Sequence, residues 1–388
     1  MNYDFDKIID RENTYSIKYS REKFGKPEGC IPMWIADMDL ESPPAVLEAL
    51  QKRVNHGVFG YTTPDDEYFE VVGDWYKKRF GWNINREWFT LVPKVVPAIS
   101  FAINAFTKEN DGVLIMEPVY HPFATAIRSY NRKVVINELI CCKGKYSIDF
   151  DDFEEKIKQS KLLILCSPHN PVGRVWTTEE LTRIGEICLR NNVIVVSDEI
   201  HQDLVYSGYK HTVFANIDQA FADITVTCTA PTKTFNIAGL PISNIFISNK
   251  ELRKKFNYQF EACGFGSPAA LSLVACKAAY AEGEQWLEEL LVYLKENMNT
   301  IDGFMKKNLS KISLVEAEGT YLAWLDFSKL GISDKKLDEL IEQKAKLWVE
   351  PGVKFGRSGA GFRRMNVGCS RATINEALRR LESVFKNI

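Results

Sequence analysis

Between residues 113 and 247, short apolar runs alternate with amphipathic stretches. The runs at 113–117, 162–167 and 193–197 are nearly continuous in Val, Ile and Leu, while 224–229 alternates with Thr and 242–247 carries Ser243 and Asn244. Such continuous apolar runs suit strands covered on both faces, and the helical patterns between them, clearest at 178–191, supply the crossovers that parallel pairing needs. The expectation is an α/β fold whose mixed, mainly parallel sheet, of a seven-stranded type, is flanked by helices. Ligands of such sheets gather beyond the carboxyl ends of the strands. Tyr120, Asn170, Asp198 and Lys233 all fall at or just past those ends.

The flanking segments read differently. Residues 1–30 are polar and aromatic without a period, and 31–39 form an apolar run ending in Asp37 and Asp39. Helical patterns at 43–55 and 65–80 bracket a glycine-bounded loop, 57–62, which carries Tyr61. Residues 91–100 lead into an apolar helix reaching Phe106. Pro97 suits its first turn, so the N–H groups of Val95 and Val96 stand at a helix amino end, where a phosphate binds. After 265–268 come a helix at 269–281 and a long amphipathic one at 284–308. The tail mixes strands near 312–316 and 321–327 with helices, including 334–344, as in an α+β unit. We expect an N-terminal segment (1–45) packing with a small C-terminal domain (282–388), and a large domain (46–281) between them.

Composition narrows the function. Lys and Arg total 49 against 51 Asp and Glu, a net charge of -2 in 388 residues, which disfavours a nucleic-acid or membrane partner held by bulk charge. No apolar run is long enough for a bilayer, and the start does not resemble a signal peptide. The nine cysteines are scattered without a Cys-x-x-Cys pair, as expected of reduced thiols in cytoplasm, and five dispersed histidines offer no metal site.

The candidate chemistry centres on Lys233. A β-type run leads to it, Pro231 ends the strand, and Ala238 and Gly239 follow, where backbone can approach a ligand. Burying an ammonium at the end of a core strand is costly. A lysine held as a Schiff base escapes that cost, and pyridoxal phosphate (PLP) is the common partner. PLP needs an acid at its ring nitrogen, and Asp198 is available. Asn170, in an Asn-Pro turn, can donate to the ring hydroxyl, and Tyr120 can stack on the ring. Arg363 and Arg364 lie on an otherwise apolar strand, where one arginine facing inward would bind a carboxylate; alternation alone does not say which.

Together the stretches 32–39, 118–123, 170–176, 198–204, 233–240 and 361–366 resemble fold-type I PLP enzymes of the class I/II aminotransferase superfamily. Within it they are similar to the MalY/PatB-type carbon–sulfur lyases. The resemblance implies a PLP-dependent β-lyase acting on cystathionine, cysteine or related S-conjugates. A class I/II aminotransferase is the runner-up, and a PLP-bound regulatory protein acting through a protein partner is the third reading. It implies Lys233 as the Schiff-base lysine, Asp198, Asn170 and Tyr120 around the ring, and Val95, Val96 and Thr232 on the phosphate. His201 stands near the ring hydroxyl, where aminotransferases often carry tyrosine. Arg364 is selected for the substrate carboxylate, with Trp34 also near the substrate. Tyr61 would reach the neighbouring subunit's phosphate and substrate, making a homodimer with shared sites. Lys94 replaces a glycine usual before the two valines, and Pro241 stands where many aminotransferases have an arginine.

Overall fold

The computed structural model describes residues 2–388. Seven strands form the central sheet: β1 (Phe89–Val92), β2 (Gly112–Glu117), β3 (Lys133–Glu138), β4 (Ser160–Cys166), β5 (Ile194–Asp198), β6 (Thr225–Thr229) and β7 (Ser243–Phe246). Their spatial order is β1-β7-β6-β5-β4-β2-β3. β7 alone runs opposite to the other six strands, so the sheet is mixed and mainly parallel, as expected. The two edge strands, β1 and β3, went unassigned in the sequence. β3 is half-exposed along most of its length, and its apolar run is only the three residues Val134–Ile136 between Lys133 and Asn137.

Side chains of successive residues leave the sheet on opposite faces. Ile115, Ile164, Val196 and Val226 pack on one face against helices Val95–Phe106 and Lys250–Ala262. Leu114, Leu163, Leu165 and Val195 pack on the other against Phe150–Ile157 and Thr178–Arg190. This two-sided burial is why β2, β4 and β5 read as nearly unbroken apolar runs; each aliphatic side chain so buried is worth roughly 1.5–3 kcal/mol of transfer free energy. The helix Thr178–Arg190 begins with a capping box between Thr177 and Glu180.

A second sheet follows from β8 (Ser313–Leu314), β9 (Leu322–Asp326), β10 (Glu350–Pro351) and β11 (Phe362–Asn366), in the order β8-β9-β11-β10 and antiparallel throughout. The 25-residue helix Glu284–Asn308 and the last helix, Arg371–Phe385, cover it. The single helix expected at 334–344 is instead an α-turn, Asp334–Asp338, continued as a π-helix, Glu339–Lys344. The N-terminal segment joins this region through parallel pairing of Ile31 with Leu347 and Pro32 with Trp348. All nine cysteines are free thiols. Among the described residues, no helix is long and apolar enough to cross a membrane.

Candidate active site

The carboxyl ends of β4, β5 and β6 open into one cavity of about 640 Å3. Lys233 enters it from the one-turn helix Pro231–Thr234, whose Pro231 occupies the first helical position. The turn is anchored from below: Thr234 Oγ1 donates to Asp203 Oδ2 (2.9 Å), and Asp203 also accepts from Trp75 Nε1 (3.0 Å). Asn236, in the left-handed region at φ 54°, donates from Nδ2 to the carbonyls of Met38 (3.0 Å) and Leu40 (2.7 Å) and accepts from the Met38 N–H (2.9 Å). These bonds pin residues 36–40 beside the lysine. The Lys233 ammonium donates to the Ala36 carbonyl, which also accepts from the Tyr321 hydroxyl (3.0 Å). Burial lowers the Lys233 pKa to about 8, with Arg364 and Lys94 adding to the fall against the Asp37 and Asp198 carboxylates.

Asp198, the last residue of β5, lies almost fully buried across the cavity. One backbone N–H, from Ile200, reaches it at 3.2 Å. Burial pushes its carboxyl up to about 7, against that bond and the Lys233 charge. His201 lines the same wall; burial and the Lys233 and Arg364 charges push it down to about 3, so its ring is neutral. Its Nδ1 is buried without a partner. Tyr120, Asn170 and Thr232 also line the cavity. The Asn170 turn is held by Arg174, which pairs with Glu318 (2.8 Å) and Glu180 (2.8 Å).

Val95 and Val96 are the first two residues of their helix. The residue before them, Lys94, makes no side-chain cap, so their N–H groups face the cavity uncapped. A planar, anionic cofactor suits these groups: an aromatic wall at Tyr120, a buried carboxyl short of a donor at Asp198, an amine at Lys233, and helix N–H groups beside Thr232 and Lys94 for a phosphate.

Three expected residues sit outside the cavity lining: Trp34, Tyr61 and Arg364, which stands one hydrogen bond behind Asn170. The Trp34 indole stacks on Trp348 with ring centroids 4.4 Å apart, and its Nε1 donates to the Lys18 carbonyl (3.1 Å). What Trp34 offers is its backbone carbonyl, which accepts from Arg364 Nη2 (2.8 Å). Tyr61 is 102% exposed on its loop, away from the cavity of its own chain.

The two arginines take opposite faces of β11. Arg363 is bound by Asp334 (2.8 Å) and Asp338 (2.7 Å). Arg364 is buried, donates from Nη1 to Asn170 Oδ1 (3.0 Å), and lies over the Phe355 ring at 4.8 Å. No carboxylate pairs with it among the described residues, and its Nε is buried without a partner. The sequence also gave no notice of Arg11, Tyr15 and Ile17 in the lining. They come from the N-terminal segment without a period, where Arg11 bonds both Asp37 (2.9 Å) and Asp39 (2.7 Å).

This fold and site place the molecule among the class I and II aminotransferases: the chain matches that family's model over residues 29–381 and belongs to the family. It is 45% identical to the cystathionine beta-lyase PatB of Bacillus subtilis (strain 168), over 98% of this chain and 99% of that one. Among solved structures it is similar to cystalysin from Treponema denticola, which contains a pyridoxal 5'-phosphate cofactor (40% identity, TM-score 0.97, all of both chains). It is also similar to a PLP-bound C-S lyase from Staphylococcus hominis (36% identity, TM-score 0.93, 99% of this chain and 98% of that one).

Proposed function

We propose that this chain is a PLP-dependent carbon–sulfur β-lyase that converts cystathionine, cysteine or related cysteine S-conjugates to a thiol, pyruvate and ammonia. The observation that carries the reading is the meeting, in one cavity, of a lysine with a depressed pKa, a buried carboxylate and an uncapped helix amino end. The likeness to a cystathionine beta-lyase along nearly the whole of both chains supports it.

Bound there, PLP supplies an electron sink for negative charge at the substrate Cα. Lys233 would hold the cofactor covalently, Asp198 would serve its ring nitrogen, Asn170 and His201 its hydroxyl, and Tyr120 its ring. Val95, Val96 and Thr232 hold its phosphate. Arg364 binds the substrate α-carboxylate, with the Trp34 carbonyl and Asn170 fixing the guanidinium plane. Lys233, whose pKa burial depresses to about 8 in the cofactor-free chain, is the group placed to take the Cα proton as general base. The thiolate leaves from Cβ, and water consumes the remaining three-carbon unit to give pyruvate and ammonia.

The same reading makes the enzyme a cytoplasmic homodimer in which Tyr61, exposed on its own chain, completes the neighbouring site. It divides the chain at residues 45 and 281, as the sequence suggests. Aminotransfer is the second reading, since the family includes that chemistry. Purified chain supplied with PLP and cystathionine should release homocysteine, pyruvate and ammonia in equal amounts; a chain that consumes cystathionine without freeing a thiol is not a β-lyase.

A further inference from the structure

A second cleft, of about 880 Å3, opens beyond the ends of β2 and β3, between helix Pro122–Ser129 and the loop at 353–357. It shares only Tyr120 with the catalytic cavity. Its floor holds Glu117, the last residue of β2, which is only 8% exposed. No cationic side chain pairs with this carboxylate among the described residues. Its register partner on β3 is another acid, Glu138. Gly356 packs against it so closely that an added Cβ would lie 2.3 Å from Glu117 Oε2. Burial and Glu138 raise the Glu117 pKa, opposed by the Arg357 N–H and the Arg128 and Arg357 guanidiniums.

A carboxylate buried to this degree is normally paired, because leaving it unpaired costs free energy. The groups around the cleft supply the opposite charge without supplying a pair. Arg128 and Arg357 line it, exposed, and form no ion pair among the described residues. The lysines beside them are already taken, Lys156 by Asp152 (3.8 Å) and Lys354 by Glu350 (2.5 Å). A simple anion entering here would meet Glu117, and a simple cation would meet the two arginines. Among the described residues no cluster of His, Cys, Asp or Glu is placed to hold a metal ion. A ligand with an ammonium and a carboxylate on one carbon satisfies both sets.

We propose that this cleft is a second binding site, for a free α-amino acid: Glu117 with Glu138 holds its ammonium, and Arg128 with Arg357 holds its carboxylate. The cleft stands apart from the Lys233 chemistry but touches it mechanically. The Phe355 carbonyl accepts from the Val119 N–H (2.8 Å), and the Phe355 ring lies under Arg364.

The test is calorimetric titration of L-methionine into holoenzyme reduced with borohydride, so that fixed cofactor fills the catalytic cavity. One site per chain is expected. Glu117→Gln and Arg128→Gln should each weaken it about 10- to 100-fold, the range for a lost hydrogen bond to a charged group. L-methionine methyl ester and 4-(methylthio)butyrate, each missing one charge, should bind at least about tenfold more weakly on the same ground. Arg128 is exposed, so its variant decides the matter even if Glu117→Gln does not fold. Absence of binding to the reduced wild type, variants that bind as well as wild type, or an analogue that binds as tightly as L-methionine would each overturn the proposal.

Discussion

Replacing Arg364 and Arg363 separately by alanine divides catalysis from stability along one strand. A guanidinium carries five N–H donors. In Arg364 one bond goes to Asn170 and one to the Trp34 carbonyl, leaving donors free for a substrate carboxylate, and no acidic side chain competes for them. Removing one partner of a buried, hydrogen-bonded charge pair costs about 2–5 kcal/mol, much of it from stranding the other charge. At about 1.4 kcal/mol per decade, Arg364→Ala should lower kcat/KM for cystathionine by roughly two to three orders of magnitude while cofactor absorbance stays intact. Arg363 holds Asp334 and Asp338, whose side chains are 29% and 39% exposed. Stranding those partly hydrated carboxylates costs less than the 3–5 kcal/mol of a fully buried pair, roughly 1–3 kcal/mol. Arg363→Ala should therefore lower the melting temperature and leave kcat/KM within a few-fold. Steady-state kinetics and thermal melts on both variants, at matched cofactor content, give the comparison. A catalytic collapse in Arg363→Ala with Arg364→Ala near wild type would refute the assignment of faces.

Lys233→Ala should be inactive, and borohydride, which should fix cofactor to the Lys233 peptide of wild type, should fix none in the variant; peptide mass spectrometry reads both. Asp198 bears on pH: its carboxyl is raised from 3.8 to about 7, so its stabilising contribution is full below about 4 and lost as pH rises through 7. Melts of the cofactor-free chain should thus show Asp198→Asn gaining on wild type between pH 5 and 8; a gap that shrinks over that range contradicts the burial argument. Hybrid dimers of Tyr61→Phe and Lys233→Ala chains carry one site with both lesions and one with neither. They should regain close to one site's activity per dimer, half that of the wild-type dimer, and verified hybrids with no recovered activity would show that Tyr61 does not serve the partner.

The sequence made most buried strands legible because two-sided burial favours continuous Val, Ile and Leu, the strand Thr225–Thr229 alternating with Thr instead, and Asp198 and Lys233 followed from strand ends. It could not show that β7 runs antiparallel, since direction is set by partners distant in the chain. β3 escaped for a different reason: an edge strand with half-exposed residues keeps only the three-residue apolar run Val134–Ile136, too short to mark a strand. The choice between Arg363 and Arg364 rested on family resemblance, because alternation fixes that the faces differ and not which is which; the carboxylates of Asp334 and Asp338 settle where Arg363 points. Trp34 shows a different gap. Its stretch was legible, but whether indole or carbonyl reaches Arg364 depends on the stack with Trp348, formed across more than three hundred residues. The N-terminal part of the lining, from Arg11 to Ile17, has neither period nor motif; Arg11 ties it down through Asp37, Asp39 and the Met38 carbonyl.

The most direct measurement is of product partition in one preparation of holoenzyme. One arm receives cystathionine and is assayed for thiol, pyruvate and ammonia; the other receives an amino acid with 2-oxoglutarate and is assayed for glutamate. The account predicts equimolar thiol and pyruvate in the first arm and no glutamate in the second. Glutamate formation without thiol release would contradict it and make the chain an aminotransferase.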